Sequence, residues 1–118
     1  MSKRIGIAAE KQAQAYLIAQ GLQWVTSNYR CRWGEIDLIM RDGVCLIFVE
    51  VRARSSIAFG GAAASVTHRK QQKLLKTASY YLLKHGLGNK QATRFDVLSL
   101  EGSGPRINWI KNAFGLDF

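Results

Sequence analysis

A chain of 118 residues, 47% of them hydrophobic and one a proline, has apolar material for one core and too little length for two domains, which sets aside disorder and a multidomain build. No apolar run approaches the ~20 residues that span a bilayer, and the basic start Met1-Ser2-Lys3-Arg4 leads into no apolar signal segment, so a cytoplasmic protein is expected. Seventeen Lys and Arg against eight Asp and Glu give a net charge of +9, and cations scattered through periodic segments on this scale point to a polyanionic partner, nucleic acid ahead of an acidic membrane surface.

Residues 5–20 carry Ala9, Ala13, Tyr16 and Leu17 at helical spacing, and Gly21 supplies the stop. Residues 21–28, with Leu22, Trp24 and Val25, form a short strand or an entry into a sheet. Residues 29–34 read as a turn in which aromatics and cations interleave: Tyr29, Arg30, Cys31, Arg32, Trp33. That pattern suits a grip on a nucleic-acid backbone or a stacked base, and equally the edge of a core. Residues 35–40 are a strand, Arg41-Asp42-Gly43 a tight hairpin turn, and 44–54 the partner strand, rich in β-branched and aromatic residues. Residues 55–65, with Gly60-Gly61 among alanines, are expected to be a mobile loop. A second helix covers 66–85, with Ser65 or Thr67 as N-cap and Gly86 as stop. A loop over 86–91, a strand over 92–100, a turn over 102–105 and a strand over 106–110 complete an α/β chain, a central mixed sheet flanked by helices.

The chemistry lies on the hairpin. Side chains two apart on a strand share a face, which groups Glu35, Asp37 and Ile39, then Leu46, Phe48, Glu50, Arg52 and Arg54, and leaves Ile47, Val49, Val51 and Ala53 as a purely apolar opposite face. Glu50 follows a run that belongs in a core, and Asp37 sits between Ile36 and Leu38. A buried carboxylate costs several kcal/mol unless a cation or metal compensates it. Asp37 lies about five residues before the turn and Glu50 about seven after it, so a bulge or slight stagger brings the two acids together. Two carboxylates with water and a backbone carbonyl suit Mg²⁺ or Mn²⁺, and Arg52 can stabilise charge developing on a phosphate. The alternative is an ion-pair network of Asp37 and Glu50 with Arg52, Arg54 or Arg94. Glu10, in line with Gly6, Ala13 and Leu17, points toward the core side, either to join the acids or to pair with a basic residue.

On the second helix, Gln71, Leu74, Leu75, Ala78 and Leu82 form an inward stripe, while Arg69, Lys73 and Lys76 make a basic row that is either a solvated face or a set of phosphate contacts. Lys70 and Gln71 fall near the helix N-terminus, where phosphate is favoured. Cys31 and Cys45 make no metal spacing with His68 or His85, and reduced, partly buried thiols are expected.

The strings Gly34-Glu35-Ile36-Asp37-Leu38-Ile39, Phe48-Val49-Glu50-Val51-Arg52, Phe59-Gly60-Gly61-Ala62-Ala63-Ala64-Ser65-Val66, Arg94-Phe95-Asp96-Val97 and Asn112-Ala113-Phe114 resemble the bacterial YraN-like family of predicted endonucleases, within the PD-(D/E)xK superfamily near the archaeal Holliday-junction resolvases. The resemblance covers essentially the whole chain. It implies a single nuclease-like domain over 1–118 with a restriction-endonuclease-like fold and Mg²⁺- or Mn²⁺-dependent cleavage of DNA, branched or structured DNA included. It gives Asp37 and Glu50 as metal-binding acids, the Val51 carbonyl as a further ligand, and Glu10 as the counterpart of a first-helix Glu at the metal. Arg52 departs from the pattern, which has Lys there; Arg stays charged and cannot act as a base, so Lys70 is a candidate stand-in and Gln71 a helper with phosphate or water. The expected partners are DNA, met through Arg30, Arg32, Arg54, Arg69, Lys73 and Lys76, and no membrane, with a homodimer left open. A non-catalytic nucleic-acid-binding module on the same scaffold is the rival reading.

Overall fold

The computed structural model describes residues 3–54, 66–88, 90–102 and 106–115, and their side chains except at 3–5 and 54. Helix α1 (Lys3–Ala19) leads into strands β1 (Gln23–Cys31), β2 (Gly34–Asp42) and β3 (Cys45–Arg54); helix α2 (His68–Lys84) then precedes β4 (Thr93–Glu101) and β5 (Arg106–Phe114). The five strands form one sheet in chain order. β3 and β4 run parallel and every other neighbouring pair antiparallel, so among the described residues α2 lies in the one crossover connection. This is the α/β architecture expected, a mixed sheet between two helices, and it is consistent with a restriction-endonuclease-like arrangement.

Alternation along β3 divides the core in two. Ile47, Val49 and Val51 pack with Ala9, Ala13 and Leu17 of α1, while Leu46 and Phe48 pack with Leu74, Leu75, Ala78 and Tyr81 of α2. The helix boundaries follow from their caps. Gly21, at φ 102, closes α1 by donating its N–H to Ile18 while Leu22 donates to Leu17, a pairing that satisfies carbonyls the helix end leaves open. Gly86 and Leu87 repeat the pattern on α2, and Thr67 caps its start by accepting from the Lys70 N–H.

Two expectations are corrected. The turn read over 29–34 is strand as far as Cys31: Tyr29 and Arg30 pair with Ile36 and Glu35, and the Tyr29 ring meets Tyr81 edge-on at 5.0 Å. β1 is an edge strand with little buried surface, so it carries none of the alternation that marks β2. The last strand runs to Phe114 instead of ending at 110. Asn112, at φ 52, absorbs an irregularity opposite Asp96, and pairing resumes at Phe95 and Phe114, whose rings stack at 5.2 Å. The mobile loop expected over 55–65, with the string from Phe59 to Ser65, and most of the turn over 102–105 lie outside the described residues.

The irregularity in β5 surrounds a carboxylate. Asp96 is 0% exposed and accepts four hydrogen bonds: from Arg94 Nε and Nη2, the Trp109 indole and the Asn112 backbone. A buried acid so fully bonded ties β5 to β4. Asp96→Ala leaves Arg94 and two further donors without their acceptor, and is expected to cost roughly 3 kcal/mol or more, read as a fall in the urea midpoint without a change of slope.

Candidate metal centre

The antiparallel register of β2 on β3 runs from Asp42–Cys45 back to Leu38–Val49 and stops there. One further step would set Asp37 opposite Glu50. Instead the ladder opens, and the Asp37 Oδ2 accepts the Val51 N–H at 2.8 Å. On the other side of β2, Ser27–Leu38 and Tyr29–Ile36 pair with β1 in one unbroken register while Asn28 and Asp37 between them do not pair, and Asn28 has a left-handed φ of 54. The kink shifts the alternation of β2, so that Ile36 and Ile39 both face α2 while Leu38 and Met40 face α1. Of the three residues expected to share one face, Glu35 and Asp37 both line the opening between the strands, while Ile39 packs toward α2. The apolar face of Ile47, Val49, Val51 and Ala53 is as read from the sequence.

The opening is a cleft of about 260 Å³, bounded by α1 through Glu10, by β2 through Asp37, by β3 through Glu50, Val51 and Arg52, and by α2 through Lys70 and Lys73. Gly34 brings the β1–β2 turn against α2, where a Cβ would stand 3.1 Å from the Thr77 hydroxyl. In an extended strand a residue's N–H and C=O point to the same edge, so Val51, which gives its N–H to Asp37, also directs its carbonyl to the edge that β2 has left.

Glu50 is only 6% exposed. Its Oε2 meets Lys70 Nζ at 2.7 Å and Arg52 Nη1 at 3.4 Å. Asp37 has no cation of its own among the described residues. Burial, then the neighbouring Glu50 charge, drive its pKa up to about 9 against the opposing Val51 N–H, with the Glu10 charge adding to the rise. Two carboxylates thus meet at the cleft wall, where a shared proton or a cation relieves their repulsion. Oxygen donors alone, from Asp37, Glu50 and the Val51 carbonyl, fit a hard divalent ion such as Mg²⁺ or Mn²⁺. Glu10 lines the cleft wall without completing a cluster: among the described residues no three His, Cys, Asp or Glu side chains gather as a ready ligand set.

The remaining candidates are dispersed. Gln71 does not line the cleft, and its amide is bonded to the Val66 carbonyl at 3.0 Å. Arg69 is exposed, Lys73 reaches the cleft, and Lys76 turns to Trp33. Arg30 is paired with Glu35 at 2.8 Å, and Arg32 lies over Trp33. The Arg54 side chain is outside the described residues. Of the cations named for an ion-pair network, Arg52 does contact Glu50, whereas Arg94 belongs to Asp96. Cys31 and Cys45 are half-buried free thiols. Sequence reasoning missed Thr77 and Tyr81, both buried on α2, and the environment of Asp96; an Asp flanked by Phe95 and Val97 in a strand was the available signal.

Fold and cleft together define an α/β protein with two carboxylates, one buried and one half-buried, in a cleft where a sheet splits. Residues 9–100 match the model of an uncharacterised protein family, UPF0102. The chain is 50% identical over 114 residues to the UPF0102 protein lpg2994 of Legionella pneumophila, covering 97% of each. It is 56% identical over 106 residues to a UPF0102 protein of Aeromonas hydrophila, 89% of this chain and 80% of that one. A Serratia proteamaculans UPF0102 protein is 52% identical over 119 residues, 99% and 100% of the two chains. The chain belongs to the UPF0102 family.

The raised Asp37 pKa has a consequence for stability. In the unfolded chain the group titrates near pH 4 and in the folded, metal-free protein near 9. The folded state therefore holds a proton that the unfolded state releases, and stability present below pH ~4 is lost as pH rises toward ~9. Asp37→Asn can still accept from Val51 and donate to Glu50. In EDTA its melting temperature is expected to exceed the wild type's by several degrees at about pH 9 and to converge with it near pH 4. Parallel pH profiles for the two proteins would contradict this account of the pair.

Proposed function

We propose that this protein is a metal-dependent endonuclease that hydrolyses DNA phosphodiester bonds, with branched or structured DNA among its substrates. The observation that carries the reading is the meeting of Asp37 and Glu50 where β2 leaves β3, in a cleft also lined by Val51, Arg52 and Lys70. A bound Mg²⁺ or Mn²⁺ supplies Lewis acidity toward the phosphate and lowers the pKa of a bound water. Asp37 and Glu50 hold the ion, with the Val51 carbonyl and Glu10 as further oxygen donors. A guanidinium does not serve as a base in proteins, so Arg52 stabilises negative charge on the phosphate. Lys70, in the first turn of α2, reaches the same Glu50 oxygen, so its ammonium is placed to position phosphate or water. Arg30, Arg32, Arg54, Arg69, Lys73 and Lys76 contribute electrostatic attraction to the DNA backbone.

A second reading, a nucleic-acid-binding module without catalysis, is favoured by one observation. Lys70 and Arg52 already neutralise Glu50, so the site balances part of its own charge.

Labelled duplex, single-stranded and four-way-junction DNA, each incubated with Mg²⁺, Mn²⁺ or EDTA, separates the two. Cleavage is expected with either metal and none in EDTA. Asp37→Asn and Glu50→Gln should each abolish it. Arg52→Ala should slow it by on the order of a hundredfold, the usual loss of one preorganised electrostatic contact, and Arg52→Lys should keep or raise it. Binding without cleavage under every metal would select the module. In either case affinity should fall steeply with salt, and Lys73→Ala should flatten the slope.

A further inference from the structure

Beside the cleft lies a second concavity, about 460 Å³, on the outer side of α2. Trp33 forms one wall, and Leu75, Lys76, Tyr80 and Leu83 the other. Trp33 is 41% exposed and Leu83 76%, an unusual amount of large apolar surface for one small groove. The indole is attended by two cations, with the Arg32 guanidinium 4.9 Å and the Lys76 ammonium 5.3 Å from its ring centroid. No carboxylate lines the groove among the described residues.

The groove and the cleft are linked along the chain in two ways. Trp33 is joined directly to Gly34, which lines the cleft. On α2, Lys70 and Lys73 face the cleft and Lys76 the groove. Six residues of helix from Lys70 to Lys76 rise about 9 Å, which is under three nucleotides at ~3.4 Å each. A strand whose phosphate lies by Lys70 would run a few nucleotides along α2 and part-way round it to reach Trp33.

We infer that the Trp33 groove is a subsite for unpaired nucleotides next to the phosphate that is cut. The inference rests on the endonuclease reading and narrows its substrate to DNA with a single-stranded segment beside the cleaved bond. Inside a duplex each base is covered by its neighbours and offers no face to a side chain, whereas an unpaired base stacks on an exposed indole. Lys76 and Arg32 meet the phosphates of the same segment, and Leu75, Tyr80 and Leu83 receive the face of a base. A groove of aromatic, apolar and cationic residues with no acid complements a single strand's bases and phosphates together, where a purely basic surface would complement only the latter.

The test uses the full chain with an oligo-dT 12-mer and a duplex of equal length, in EDTA so that nothing is cut. Titration with oligo-dT should quench tryptophan fluorescence in the wild type, and this quenching should be largely lost in Trp33→Phe although Trp24 and Trp109 remain. Trp33→Ala should weaken oligo-dT binding roughly tenfold, the usual size for one stacked base, and change duplex binding by less than about twofold. Trp33→Phe keeps an aromatic face and should fall between. In Mn²⁺, Trp33→Ala should lose cleavage of a gapped duplex relative to an intact one. Equal weakening for single strand and duplex, or quenching that persists in Trp33→Phe, would overturn the subsite. Cleavage whose gapped-to-intact ratio ignores Trp33 would also overturn it and leave the endonuclease standing. Trp33-dependent quenching with no cleavage of any DNA would remove the endonuclease and keep a single-strand site. An acidic peptide that competes with oligo-dT at equal affinity would assign the groove to a protein partner instead.

Discussion

A single backbone donor organises the candidate site. The Val51 N–H lies on a strand buried on both faces, and an unpaired donor there would cost a few kcal/mol. The regular partner would be a carbonyl of β2. The Asp37 side chain takes that place, and β2 is released from β3 one residue before its pairing would have continued. The wedge between the strands, the outward Val51 carbonyl and the approach of the two carboxylates all follow from this one exchange of a backbone acceptor for a side-chain acceptor.

Two aspartates in the same sheet differ in how their charge is answered. Asp96 is surrounded by donors, a bidentate guanidinium among them, and its charge is fully answered. Asp37 receives one N–H and faces a second carboxylate, and what it gains from the hydrogen bond is outweighed by burial and like charge. Such a group must bind a proton or a metal to be comfortable in the folded state. Two of the cleft's cations, Arg52 from β3 and Lys70 from the N-terminal turn of α2, gather on Glu50, and none is paired with Asp37 among the described residues.

Much of this is legible in the residues themselves. Asp42-Gly43 fixes the hairpin, and counting its register outward brings Asp37 level with Glu50 one step beyond the last regular pair, Leu38–Val49. The two glycine stops place both helices to within a few residues. The local pattern does not reveal how β2 bends: the left-handed Asn28 and the unpaired Asp37 break the period of two at one point, and alternation counted through that point assigns the wrong face. Edge strands are poorly marked for a related reason. β1 buries little, and β5 departs from regular pairing around Asp96, a contact between distant segments. Gln71 reads as part of an inward helical stripe, and its amide is taken up locally by the Val66 carbonyl at the helix start, a contact that spacing does not encode.

The claim that Asp37 and Glu50 form a cation site is tested most directly by calorimetric titration of the metal-free protein with Mn²⁺ at neutral pH, in two buffers of different ionisation enthalpy. Because the pair holds a proton when no metal is present, binding of one Mn²⁺ should release about one proton, with affinity rising as pH is raised. Both the binding and the proton release should vanish in Asp37→Asn. No heat of Mn²⁺ binding in the wild type, or equal binding in the variant, would contradict it and leave the two acids as part of an ion-pair network with Lys70 and Arg52.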